Sequence, residues 1–220
     1  MTEQGRSPRA GFNLYLITDR KGCCGRGLVP VVEEALKGGV KAVQLREKDL
    51  PGGELYQVAL ELRSLTARYG AMLFINDRVD IALAVDADGV HLGEKSIPIP
   101  QARKLLGGRK LIGASCHGRE SAALAQDMGA DFITYGPVYY TPSKAAYGPP
   151  AGLDSLGEVA PLLRIPIFAI GGINSGNVRA VISAGCRGIA LISAIIAADD
   201  PRLEAERLLD ILSAVEYQEE

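Results

Sequence analysis

Gly39-Val-Lys-Ala-Val43 has three counterparts further along the chain: Asp86-Ala-Asp-Gly-Val90, Gly129-Ala-Asp-Phe-Ile133 and Gly185-Cys-Arg-Gly-Ile189. Each joins the end of an amphipathic run to the start of a short apolar one. Small residues at such a joint suit a helix C-cap in the left-handed region. The apolar run that follows suits a strand buried on both faces. Working outward, eight strand candidates emerge: Asn13–Asp19, Ala42–Glu47, Met72–Asn76, Gly89–Leu92, Leu111–Cys116, Phe132–Pro137, Ile167–Ile170 and Gly188–Ile192. Between the first three, Leu28, Val31, Val32, Ala35 and Leu36, and then Leu55, Val58, Ala59, Leu62 and Leu65, fall at helical spacing. Eight strand–helix units in 220 residues leave about 27 residues each, within the range of a (β/α)8 barrel. An open doubly wound sheet would carry a Gly-x-Gly-x-x-Gly turn after its first strand, where this chain has Thr18-Asp19-Arg20. The expected fold is therefore α/β, a single-domain TIM barrel over residues 13–217 behind a polar N-terminal tail, 1–12.

Composition narrows the function. Lys and Arg number 24 against 26 Asp and Glu, for a net charge of −2, so no nucleic-acid partner is expected. Trp is absent and aromatics are 5%, which argues against stacking platforms for single strands. The longest apolar run, Ile189 to Ala198, is about half of the roughly 20 residues a membrane helix needs. The first residues carry Arg6 and Arg9 and no apolar core, unlike a secretory signal. A cytoplasmic protein without a membrane partner is the expectation. The four cysteines show no Cys-x-x-Cys spacing, and neighbouring Cys23 and Cys24 read as incidental.

In a barrel of this kind the chemistry lies at the C-terminal ends of the strands. After Val43, side-chain alternation puts Gln44, Arg46 and Lys48 on one face and Leu45 and Glu47 on the other. An inward guanidinium is costly without a partner, so Arg46 calls for an internal carboxylate or an anionic ligand. Lys48 on the same face favours a phosphate or pyrophosphate. Asn76 and Asp77 end the third strand, where either could cap the next helix and Asp77 could hold Mg²⁺ on phosphate oxygens. His91, inside a short buried strand, reads as a satisfied core histidine. Glu94 is the one carboxylate near that strand's end, beside Lys95. Ser115 and His117 share a face at the end of the fifth strand, and His117 is either a solvent-facing loop residue or a general acid/base. The link from Tyr139 to Gly152 is long for a βα loop and carries Thr141-Pro142-Ser143-Lys144, which suggests a lid or binding loop. Gly171-Gly172 and Ile192-Ser193 follow the last two strands, where many barrels bind phosphate through backbone N–H groups. Two anion sites at one mouth suit the joining of a diphosphate to a monophosphate.

The ordered set Val43-Gln-Leu-Arg-Glu-Lys48, Ile75-Asn-Asp-Arg-Val-Asp80, Gly89-Val-His-Leu-Gly93, Gly136-Pro137 with Thr141-Pro-Ser-Lys144, and Ala169-Ile-Gly-Gly-Ile173 with Ile192-Ser193-Ala194 resembles the thiamine phosphate synthase/TenI family. The resemblance implies coupling of hydroxymethylpyrimidine diphosphate to a thiazole phosphate with release of pyrophosphate. It implies that Gln44, Arg46, Lys48 and Asn76 cradle the diphosphate, that Asp77 binds Mg²⁺, and that Ser115 and Lys144 flank the reacting region. Thr141, Ser143, Gly172, Ile192 and Ser193 would hold the thiazole phosphate. The family's pattern has a second Mg²⁺-binding Asp after its His-Leu-Gly, and Ser96 stands at that position here. Two alternatives stay open: a TenI-type thiazole tautomerase, which needs no cofactor and uses His117 as acid/base, and a non-catalytic regulator that binds a phosphorylated ligand. The partners implied are small phosphorylated heterocycles, and relatives' habits leave room for a homodimer.

Overall fold

The computed structural model describes residues 10–141 and 149–216. Its strands are β1 (Leu14–Ile17), β2 (Ala42–Leu45), β3 (Met72–Asn76), β4 (Gly89–Leu92), β5 (Leu111–Cys116), β6 (Phe132–Tyr135), β7 (Ile167–Ile170) and β8 (Gly188–Leu191). All pair in parallel with their sequence neighbours, and β8 returns to β1 through Leu14↔Ile189, Tyr15↔Ala190 and Leu16↔Leu191, closing the barrel. The expected TIM barrel is the observed fold. Several strands end sooner than the apolar pattern suggests, because the chain leaves the ladder to form the mouth. Even so, the Thr18 amide still donates to the Gln44 carbonyl at 2.9 Å.

The helices are α1 (Leu28–Lys37), α2 (Gly52–Arg68), α3 (Val79–Ala84), α4 (Ile99–Leu106), α5 (Arg119–Asp127), α6 (Gly152–Val159), α7 (Val178–Ser183), α8 (Ser193–Ile196) and α9 (Pro201–Glu216). Of the stripes anticipated for α1 and α2, Val31, Val32, Ala35 and Leu36, then Leu55, Ala59, Leu62 and Leu65 are buried, while Leu28 and Val58 are half-buried against the same core. At the four joints, Gly39, Asp86, Gly129 and Gly185 take φ of +99°, +50°, +92° and +91°. The left-handed residue turns the chain sharply from helix back into strand, and Asp is among the few side chains that tolerate it. No helix among the described residues is long and apolar enough to cross a membrane.

Two cores result from strand alternation. Outward-facing Leu14, Leu16, Val43, Leu45, Leu73 and Ile75 pack under the helices. Inward-facing Tyr15, Phe74, Phe132 and Phe168, with Ala42 and Ala190, fill the barrel. Ala10 and Phe12 also lie in this inner cluster, so the polar tail expected through residue 12 does not include them. Phe12 stacks on Phe168 with ring centroids 4.7 Å apart and rings 25° from parallel. It plugs the end where the strands begin, and buried aromatic area holds it there. A groove of about 430 Å³ opens at that same end, beside Asn13, Pro166 and Arg187. It lies away from the polar mouth, at the face of such barrels associated with stability.

Candidate active site

β2 sets the charge at the mouth. Gln44 is buried at 1% exposure, and its Nε2 donates to the Tyr15 hydroxyl at 3.1 Å. It lines the floor of the mouth, and burial pushes the Tyr15 phenol well above its ordinary pKa. The Arg46 amide donates to Thr18 Oγ1 at 2.9 Å. Its guanidinium has no ion-pair partner among the described residues. The adjacent carboxylate is spent elsewhere. Glu47, on the opposite face, accepts from Thr18 Oγ1 at 2.7 Å, from the Arg20 amide at 3.1 Å and from Arg20 Nη1 at 3.3 Å. Arg20 also pairs with Asp49. Alternation thus separates Arg20, which is neutralised, from Arg46, which has no carboxylate partner among the described residues. Lys48 is exposed in the turn beyond.

The ends of β3 and β4 meet next. Asp77 has φ +61°, and its amide donates to the His91 carbonyl at 3.0 Å. Asn76 Nδ2 donates to Asp77 Oδ2 at 2.8 Å, and Ser96 Oγ donates to Asp77 Oδ1. Ser96 Oγ in turn accepts from the Gly93 amide at 2.6 Å. The first residue flanking α3 is Arg78, without a side-chain cap, so neither Asn76 nor Asp77 caps that helix as the sequence suggested. The left-handed turn at Asp77 aims its carboxylate across to the β4 loop instead. Ser96, rather than exposed Glu94, reaches it. A carboxylate and a hydroxyl are hard oxygen donors, suited to a Mg²⁺ that takes its other ligands from water and phosphate. Among the described residues no three His, Cys, Asp or Glu side chains converge on a metal position.

His91 is buried as expected but only half satisfied. Its Nε2 lies 3.1 Å from Ser115 Oγ and 3.3 Å from Thr134 Oγ1, while Nδ1 has no partner. Burial, foremost, pushes its pKa down to about 3. His117 is exposed, and its Nδ1 donates to the Gly136 carbonyl at 2.5 Å. A carbonyl can only accept, so the neutral ring carries its proton on Nδ1 and leaves Nε2 basic. Burial pushes the thiol of Cys116, the residue before His117, up to about 12, so it is inert.

The β7 and β8 loops share this rim. Gly172 has φ +67°, and a Cβ there would lie 2.7 Å from Tyr139 Cβ. The loop is braced by Tyr139 N to Gly171 O at 3.0 Å and Asn177 Nδ2 to Gly172 O at 2.9 Å. The short helix expected after the last strand is α8, which opens at Ser193 directly after Ile192. Of the proposed lid, residues 139–141 and 149–152 are described, whereas 142–148, Ser143 and Lys144 among them, lie outside the described residues. Sequence reasoning missed three contributors: Tyr15 beneath Gln44, Thr134 beside His91, and the Thr18–Glu47–Arg20 brace. Strand alternation held a signal for Thr134, which shares the inward face with Phe132.

The architecture places the chain among (β/α)8 barrels whose polar residues gather at the C-terminal mouth, with glycine-rich loops on one side and, on the other, a cation that has no ion-pair partner among the described residues. Residues 14–195 match the family model described as thiamine monophosphate synthase, TMP-TENI, and the chain belongs to this family. It is 59% identical over 204 residues to a putative thiamine-phosphate synthase of Geobacter sulfurreducens, covering 93% of this chain and 96% of that one. A thiamine-phosphate synthase of Syntrophomonas wolfei is 46% identical, covering 91% and 96%. The solved thiamine phosphate pyrophosphorylase from Pyrococcus furiosus superposes with a TM-score of 0.85 at 42% identity, covering 93% and 96%.

Proposed function

We propose that the chain is a thiamine phosphate synthase, a transferase that joins hydroxymethylpyrimidine diphosphate to thiazole phosphate and releases pyrophosphate. The carrying observation is the Arg46 guanidinium, without an ion-pair partner among the described residues while Glu47 beside it is committed to Arg20. In the reaction the bond between the pyrimidine methylene carbon and the diphosphate oxygen breaks, and the thiazole nitrogen captures the resulting cation. Negative charge grows on the departing diphosphate, where Arg46 and Lys48 stabilise it. Asn76 and Gln44 complete that side. Ser115 and Lys144 flank the reacting carbon, and Thr141, Ser143, Gly172, Ile192 and Ser193 hold the thiazole phosphate. Asp77, steadied by Asn76 and Ser96, would hold Mg²⁺, which neutralises diphosphate oxygens when bound. This reading places the chain in the cytoplasm with small phosphorylated heterocycles as its partners.

Arg46→Ala tests it: pyrophosphate release is expected to disappear while the circular dichroism spectrum stays unchanged, and undiminished release refutes the assignment. The exposed, oriented His117 supports a second reading, thiazole tautomerisation without metal. In that case His117→Gln lowers aromatisation of the thiazole carboxylate phosphate by on the order of 10²–10⁴. A variant as fast as the parent removes this reading.

A further inference from the structure

His91 stands outside the mechanism above, yet it is placed directly beneath it. The ring is 2% exposed, with Tyr15 and Phe132 each 5.8 Å away between ring centroids. Register sets it beside Asn76 on one strand and Gly113 on the other. A Cβ at Gly113 would lie 2.6 Å from His91 Nδ1 and 2.5 Å from Phe132 Cζ, so the missing side chain is the space the ring occupies. From this seat Nε2 meets two hydroxyls, Ser115 at 3.1 Å and Thr134 at 3.3 Å, and Nδ1 meets none.

We propose that His91 is a positioning residue that turns the Ser115 hydroxyl into a hydrogen-bond donor toward an acceptor atom of the substrate. The proposal rests on the reading that Ser115 flanks the reacting region. A neutral imidazole carries one proton, which sits on Nδ1 or on Nε2. On Nδ1 it would be a buried N–H without an acceptor, and orphaned buried donors are rarer than orphaned acceptors. The proton therefore belongs on Nε2, which donates to Ser115 Oγ with Thr134 Oγ1 as the second, longer acceptor. The Ser115 oxygen, already accepting, keeps its own hydrogen free to point up into the mouth. The opposite tautomer would draw that hydrogen down to Nε2 and leave Ser115 an acceptor only. His117, with Nδ1 on the Gly136 carbonyl, holds the other tautomer.

The chain has two histidines, so ¹⁵N-labelled histidine in the full-length, substrate-free protein gives two ring systems to read. The expected spectrum shows His91 protonated on Nε2 and His117 protonated on Nδ1. His91 protonated on Nδ1 overturns the proposal. Kinetics supply the second arm. Ser115→Ala and His91→Met should each lower kcat roughly tenfold, the worth of one neutral hydrogen bond. The double variant should lose no more than Ser115→Ala alone, and His91→Gln, which retains a side-chain N–H, should recover most of the loss. Additive losses, or an unchanged kcat in His91→Met, overturn the proposal, because a merely structural histidine would add its effect independently. The tautomers are read without turnover. If they are as expected and the parent releases no pyrophosphate, the synthase reading fails while the assigned geometry stands.

Discussion

Ser96 Oγ donates to Asp77 Oδ1, so this pair sets one carboxylate beside a neutral hydroxyl where the family pattern has two carboxylates. Magnesium holds its water tightly and binds proteins through one or two carboxylates plus phosphate oxygens. The metal should therefore bind weakly to the free protein and well in the presence of diphosphate. Ser96→Asp should raise Mg²⁺ affinity in the absence of diphosphate by on the order of tenfold, measured by titration calorimetry. An unchanged affinity would show that Ser96 does not border the cation. The resemblance had put Asp77 and Ser96 at one cation position, but no local pattern in the sequence did. The facing of Gln44 and Arg46 follows from a period of two, which the sequence displays directly. The meeting of Asp77 with Ser96 depends on a left-handed aspartate and on two loops made adjacent by β3–β4 pairing, and neither leaves a local trace. Thr134 went unnoticed because a threonine in an apolar strand reads as ordinary β-propensity.

Among elements, the loops after β6 and β7 behave as one piece. Ile170 and Gly171 offer carbonyls to Val138 and Tyr139 at 2.9 and 3.0 Å, and Gly172 packs against Tyr139. Gly172→Ala sets a side chain at φ +67° and 2.7 Å from Tyr139 Cβ. It should cost about 1–3 kcal/mol in urea unfolding and raise KM for the monophosphate substrate more than for the diphosphate. Equal effects on both KM values would place the phosphate elsewhere. The strands and their joints were readable because each joint repeats one requirement, a residue able to turn left-handed after a helix. The N-terminal segment was not: Phe12 stands among polar and small residues, and only the closed barrel supplies the hole that it fills.

At the scale of the whole molecule, the neutral histidine within the barrel ties stability to pH. The unfolded chain binds a proton at His91 near the ordinary value of 6.5, whereas the folded chain resists it down to about 3. The contribution is whole above pH 6.5 and is lost as the pH falls toward 3, because the unfolded state then holds more protons. Between pH 6.5 and 4.5, above most carboxylate titration, the slope should approach about 1.4 kcal/mol per pH unit. His91→Gln should flatten it in chemical denaturation measured across that window. A parent and variant with parallel profiles would mean that the ring titrates freely.

The stacked pair Phe12 and Phe168 gives the barrel a sealed floor. Reactants and both products then share one doorway at the opposite end. A released pyrophosphate cannot depart by a back exit, and product inhibition patterns should record the order in which the two products leave.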